Sequence, residues 1–132
     1  MRFARVLAAL FAVLVLALPG CGKSRAAECD SFDEVRQSVN QLTNVTLSEN
    51  GMSALADGVK NVQAELTQFV ADSQARFQAQ TDPLKAAVDQ LSASVATAKA
   101  DPNRTTLGAV GTALGSVKAA VQSLGSAVSS SC

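Results

Sequence analysis

The sequence contains no histidine, tryptophan or tyrosine, and its only aromatic residues are five phenylalanines. The absence of histidine removes the most common general base and metal ligand of proteins. The carboxylates in the middle of the chain are scattered singly, about seven to ten residues apart, so no two are placed to share a proton. They are Asp57, Glu65, Asp72, Asp82 and Asp89. We therefore expect a protein that is not an enzyme, with no catalytic, cofactor-binding or metal-binding residues.

Neither sign of charge is in excess, because 11 basic residues balance 11 acidic ones. A nucleic-acid-binding surface needs a concentration of lysine and arginine on one face or segment, and this sequence has none. We therefore expect no nucleic-acid partner.

Long apolar runs are also scarce, and the longest covers residues 6–18, after a basic start that contains Arg2 and Arg5. A bilayer core of about 30 Å needs about 20 apolar residues in a helix, so this run is too short for a permanent membrane span. A basic start followed by an apolar run of this length is typical of a secretory signal.

The apolar run leads into the sequence Leu18-Pro19-Gly20-Cys21. These residues resemble the lipobox of bacterial lipoproteins. The resemblance implies that residues 1–20 are removed as a signal peptide and that Cys21 carries a diacylglycerol, with a further acyl chain such as palmitate on its amine. It also implies export and lipid anchoring to the outer face of a cell-envelope membrane, with residues 21–28 as a polar tether.

The sequence has three cysteines, an odd number. If Cys21 is lipidated, Cys29 and Cys132 are the two thiols that remain, and an oxidising envelope favours their pairing. An intramolecular disulfide would close a loop of about 100 residues and stabilise the domain by about 4–5 kcal/mol in the chain-entropy model. The alternatives are two free thiols or an intermolecular bridge.

Residues 29–132 have the apolar spacing of three and four that is typical of amphipathic helices, and no strand pattern competes with it. We expect helices over residues 32–44, with Ser31 and Glu34 as a capping box, over 52–100 and over 104–130. The break at Asp101-Pro102-Asn103 separates the last two. The apolar seam consists of Phe32, Val35, Val39, Leu42, Met52, Leu55, Val59, Val62, Leu66, Phe69, Phe77, Leu84, Val88, Leu91, Val95, Ala98, Leu107, Val110, Leu114, Val117, Val121, Leu124 and Val128. Its phase slips by about four residues near Ser73.

Helix lengths distinguish two ways of arranging these segments. If the chain reversed at Pro83, four helices of about 13, 29, 19 and 25 residues would leave Cys29 and Cys132 about 33 Å apart. A disulfide allows a Cα separation of no more than about 7 Å. If residues 52–100 instead form one helix kinked near Pro83, the two shorter helices fold back on its halves and their free ends meet midway. We therefore predict an all-α, antiparallel, coiled-coil-like bundle with a long central helix flanked by two shorter ones and stapled by one disulfide.

The last helix contains Gly111 and Gly115, whose spacing of four allows another helix to approach its backbone closely. We expect these glycines to pack against the central helix; the alternative is a glycine face that is exposed to a partner helix.

These features favour a non-enzymatic, lipid-anchored helical protein of the cell envelope. Such a protein would contact the membrane through Cys21 and would bind or space another envelope protein. Alanine-rich helix faces also allow self-association. The alternative is a small carrier whose helices enclose an apolar ligand such as an acyl chain.

Overall fold

The computed structural model describes residues 26–132, and these residues are helical with no β-strand among them. The elements are α1 (Ala27–Thr43), a 3₁₀ turn (Glu49–Gly51), α2 (Met52–Asp72), α3 (Gln78–Ala100) and α4 (Arg104–Val128). The predicted all-α fold class is confirmed. The predicted signal peptide, the lipobox and Cys21 lie outside the described residues.

The four helices run alternately up and down. Ser38 of α1 meets Glu65 near the middle of α2, and Ser31 meets Asp72 at its end, so α1 and α2 are antiparallel. Leu66 and Thr67 of α2 border the same surface depression as Lys85 and Val88 of α3, which shows that α3 folds back along α2. Helix α4 returns along α3, and its end reaches the start of α1, where Cys132 is bonded to Cys29.

The core lies along the bundle axis and consists of the predicted seam. Every seam side chain is buried except Leu107, which is half-buried against the others. The remaining apolar members of the core are Cys29 and Ala113. Burial of a single Val, Leu or Phe side chain stabilises a fold by about 1.5–3 kcal/mol, so this continuous seam is the main source of stability.

The predicted long helix over residues 52–100 is not confirmed, because the chain reverses between Asp72 and Gln78. This reversal produces helices of 17 and 23 residues in one direction and 21 and 25 in the other. The lengths nearly match, so the start of α1 and the end of α4 reach the same end of the bundle. The rejected four-helix arrangement placed the reversal at Pro83, about eight residues after the centre of the observed turn. Pro83 instead lies inside α3 on an exposed face.

The reversal has no glycine or proline to mark it in the sequence. Gln74 and Ala75 both adopt left-handed backbone conformations, with φ of 52° and 59°. The Ala75 N–H donates to the Val70 carbonyl at 3.1 Å and caps the end of α2. Phe69 and Phe77, on either side of the turn, stack at 5.8 Å between ring centroids. Aromatic stacking and these backbone bonds offset the unfavourable left-handed conformation of two non-glycine residues.

Helix α1 begins at Ala27, five residues before the predicted start, so Ala27 and Glu28 do not belong to a tether. Ser31 is an interior residue of the helix and not its N-cap; its hydroxyl donates to the Ala27 carbonyl at 3.0 Å and also contacts the Asp72 carboxylate. Glu28 and Asp30 lie in the first turn, where negative charge favours the positive end of the helix dipole. The pairing with α2 therefore uses the hydroxyl that the sequence pattern assigned to capping.

Helix α4 begins as expected after the break at residues 101–103. The Asn103 side chain accepts hydrogen bonds from the backbone N–H groups of Thr105 and Thr106, at 2.9 and 3.0 Å. The Thr106 hydroxyl in turn accepts one from the Asn103 N–H at 3.0 Å. This reciprocal capping satisfies donors that the first helical turn leaves free.

The glycines of the chain differ in how much space a side chain would find at each position. A Cβ at Gly51 would lie 2.1 Å from the Thr46 carbonyl oxygen. The close approach of the α1–α2 connector to this position therefore requires a glycine. A Cβ at Gly111 would meet Leu47 of the same connector at 3.2 Å, whereas one at Gly115 would have nothing within 4 Å. The expected packing of Gly111 and Gly115 against the preceding helix is therefore not observed.

Among the helices of residues 26–132, none combines the length and the apolar character that a membrane crossing requires.

We predict that Ala75→Gly raises the free energy of unfolding by about 0.5–1 kcal/mol, because glycine removes the cost of the left-handed conformation. For a domain of this size, the melting temperature measured by circular dichroism should rise by about 2–6 °C. Ala96→Gly is the matched control, since Ala96 is exposed inside α3 and the change should cost about 1 kcal/mol there. A fall in melting temperature for both variants would contradict the left-handed turn.

Candidate functional site

A lateral groove with a volume of about 890 Å³ lies between α1 and α4. We call it the α1–α4 groove. It is lined by Cys29, Phe32, Asp33, Arg36, Val39 and Asn40 on one side and by Lys118, Val121, Gln122, Gly125, Ser126, Val128, Ser129 and Cys132 on the other. On each helix these residues recur at spacings of three and four, so they form the facing flanks of two neighbouring antiparallel helices.

The floor of the groove is apolar and its walls are polar. Phe32, Val39 and Val121 belong to the buried core, so the groove exposes only their outer edges. A Cβ on Gly125 would lie 3.1 Å from Cζ of Phe32, which means that the phenyl ring occupies the space left by the glycine. The two helices therefore approach closely at this level.

The charges of the groove lie on opposite walls. Arg36 of α1 pairs with Asp33 one turn earlier, at 3.1 Å, and its side chain remains 59% exposed. Lys118 lies on the opposite wall and is the only charged residue that α4 carries after Arg104. An exposed ion pair is worth little, about 0–1 kcal/mol, so Arg36 can exchange this contact for a ligand at small cost.

One end of the groove is closed by the disulfide between Cys29 and Cys132, whose Cα atoms are 5.9 Å apart. This pairing agrees with the prediction from the cysteine count. Glu28 lies beside it, only 7% exposed, and its carboxylate is paired with the guanidinium of Arg76 from the α2–α3 turn. We call this region the disulfide end of the bundle.

The disulfide end is also where the aromatic residues meet. Phe32 of α1 lies edge-on to Phe69 of α2, at 6.1 Å between centroids, and Phe69 stacks on Phe77. The guanidinium of Arg76 lies 5.5 Å from the centre of the Phe77 ring, within the range of a cation–π contact. Arg76 thus joins α1, through Glu28, to the turn that reverses the chain.

The predicted site residues have different outcomes. Cys29 and Cys132 are brought together, whereas Cys21 lies outside the described residues. Two carboxylates on α2 form hydrogen bonds with different partners and not with each other. Asp72 accepts a hydrogen bond from Gln68 at 2.8 Å, and Glu65 accepts one from Ser38 at 2.8 Å. No three His, Cys, Asp or Glu side chains within residues 26–132 form a cluster that could hold a metal ion.

Reasoning from sequence missed Arg36 and Lys118 as members of one site. Each is a single charge on an amphipathic helix, and nothing in the spacing shows that the two helices face each other. The pairing of Glu28 with Arg76 was missed as well, because Glu28 was assigned to a tether.

Comparison with known proteins finds no family model, no curated protein and no solved structure that matches this chain.

Proposed function

We propose that this chain is a non-enzymatic, lipid-anchored protein of the cell envelope, in which a four-helix bundle binds another envelope component. The observation that carries the proposal is the use of the cysteines. With Cys29 and Cys132 paired, Cys21 is the single thiol of the three that remains for another use. It stands at the position that resembles the lipidated cysteine of a lipobox. A structural disulfide also supports an oxidising compartment, where such bonds persist.

The position of α1 supports an anchored arrangement with a defined orientation. Helix α1 begins at Ala27, six residues after Cys21, and a chain of that length spans at most about 21 Å. An anchor at Cys21 would hold the disulfide end of the bundle close to the membrane. The opposite end, with the α1–α2 connector, would lie about 35–40 Å further out, the length of a 25-residue helix.

Lipid anchoring predicts a specific mass for the protein recovered from bacterial membranes. Intact-protein mass spectrometry should show loss of residues 1–20 and addition of a diacylglycerol, with or without an amide-linked acyl chain. Cys21→Ser removes the acceptor sulfur and should yield a chain without lipid that no longer fractionates with membranes. A wild-type chain that is cleaved but carries no lipid would contradict the proposal.

Partner binding is tested by chemical crosslinking in intact cells. We expect the lipidated chain to form discrete adducts with another envelope protein, since the anchor concentrates it at one membrane surface. The Cys21→Ser chain should form these adducts at a reduced level. Recovery of the wild-type chain without a specific adduct would argue against an interaction module.

A second candidate function is favoured by the α1–α4 groove. We infer that the groove could hold a single-chain anionic amphiphile such as a long-chain fatty acid. Its carboxylate would lie near Lys118 and Arg36, and its chain would lie along Phe32 and Val121 toward the disulfide end. The volume of the groove falls within the usual range for ligand sites, about 300–1,000 Å³. The core itself is filled by side chains, so this candidate places the ligand on the side of the bundle and not within it.

We predict that a fluorescent long-chain fatty acid binds the full chain and that Lys118→Glu weakens this binding at least tenfold. Lys60→Glu is the matched control, because Lys60 is exposed on α2, away from the groove, and the change in net charge is the same. Fluorescence titration of the three proteins measures the dissociation constants. Equal weakening by both substitutions would indicate attraction by overall charge only and would contradict a site in the groove.

A further inference from the structure

We propose that the Cys29–Cys132 disulfide is a redox latch, whose reduction by a dithiol releases the last turns of α4 while the rest of the bundle stays folded. This inference goes beyond the proposed function and does not depend on lipid attachment at Cys21. It rests on a difference between the two sides of the disulfide, since the α1 side is held by several polar and aromatic contacts and the α4 side by fewer.

On the α1 side, Cys29 belongs to a helical turn with several independent attachments. Its neighbour Glu28 is paired with Arg76, and Ser31 contacts the carboxylate of Asp72. Phe32 is buried and lies edge-on to Phe69. These contacts hold the first turns of α1 against α2 and the reversal turn, and none of them involves a sulfur atom.

On the α4 side, the chain beyond Val128 is exposed, its N–H and hydroxyl donors bond within its own segment, and the Ser131 carbonyl contacts Sγ of Cys29 at 3.8 Å. The hydroxyls of Ser129 and Ser130 donate to the carbonyls of Ser126 and Ala127, at 2.9 and 3.0 Å. The N–H of Cys132 donates to the Val128 carbonyl at 3.1 Å. These bonds shape the end of α4, but they do not attach it to α1.

The last turns of α4 also have weak helical tendency of their own. Gly125 lowers it, and the last turn has no basic residue to interact with the helix dipole. The attachments of this segment to the bundle include the buried side chain of Val128, the partly buried Ala127 and the packing of the Phe32 ring over Gly125. The contact of the Ser131 carbonyl with Cys29 and the disulfide itself complete them. Loss of the disulfide therefore removes the only covalent one.

The two cysteines differ in exposure, and this favours one direction of the exchange reaction. Cys29 is 2% exposed, whereas Cys132 is an exposed residue. A thiolate of the dithiol attacks Sγ of Cys132 and forms a mixed disulfide, while Cys29 leaves as a thiolate and takes up a proton. The second thiol of the reductant then attacks the mixed disulfide and releases Cys132. Two electrons and two protons pass to the protein, and the dithiol becomes a disulfide.

The consequence for the molecule is an opening at the disulfide end. Release of residues 125–132 uncovers the Phe32 ring, which packs against Gly125 in the folded bundle. It also opens the end of the α1–α4 groove that the disulfide closes. The redox state of one bond then controls access to the apolar floor of the groove.

Hydrogen exchange measured by mass spectrometry tests the latch in the full chain, with and without dithiothreitol. We expect amides of residues 125–132 to exchange at least tenfold faster after reduction, with less than a twofold change in α2 and α3. Cys132→Ser should show the reduced pattern without any reductant, and dithiothreitol should not change it further. Ser130→Ala, a neighbouring substitution that keeps the disulfide, should retain the oxidised pattern.

Two outcomes would overturn the proposal. Unchanged exchange in residues 125–132 would show that packing alone holds the end of α4. Faster exchange in all four helices would show that the disulfide supports the whole bundle and is not a local latch. Repeating the comparison in a Cys21→Ser chain separates this result from the lipid proposal, because the latch should behave identically there.

Discussion

The chain reversal at residues 73–77 is the constraint on which the rest of this structure depends. It divides the central segment into two helices of 21 and 23 residues, so that successive helices differ in length by no more than four residues. Only with matched lengths can the start of α1 and the end of α4 reach the same end of the bundle. The disulfide, the aromatic cluster and the closed end of the α1–α4 groove all follow from this geometry.

The reversal is stabilised by contacts that are distant in sequence as well as by local ones. Phe69 and Phe77 stack across the turn, and Phe32 joins them from α1. Arg76 uses its guanidinium twice, toward the Phe77 ring and toward the carboxylate of Glu28. At the disulfide end, α1 is therefore joined to α2 and to the reversal by several independent side-chain contacts. On the α4 side the residues beyond Val128 are exposed and are joined to α1 mainly by the disulfide, and this contrast is the basis of the proposed latch.

The apolar seam shows how much of the fold could be predicted. Spacings of three and four identified the helical class and the buried face of every helix, since these depend on short-range periodicity alone. The same spacing could not locate the reversal, because Gln74 and Ala75 are ordinary helical residues that adopt left-handed conformations here. The phase slip near Ser73 was the one local indication. Pro83, which looked like a stronger signal, lies on the exposed side of α3, where water can satisfy the carbonyl that loses its donor.

The start of α1 was misplaced for a related reason. Ser31 and Glu34 have the spacing of a capping box, but the hydroxyl of Ser31 is used for contact with α2. The local capping pattern was outweighed by the pairing of α1 with α2. This pairing joins residues about 40 positions apart, so a short stretch of sequence does not show it. The same holds for Gly115, where the spacing suggested close packing and the structure leaves open space.

The sequence by itself determined the all-helical class and nearly all of the core residues, because short-range periodicity suffices for these. It also predicted the pairing of Cys29 with Cys132, once the resemblance to a lipobox had set Cys21 aside. Only the tertiary structure decided where the chain turns, which flanks of α1 and α4 face each other, and that Arg36 and Lys118 share one groove. These properties arise from contacts between residues far apart in the chain, and the energies of such contacts depend on how all four helices pack at once.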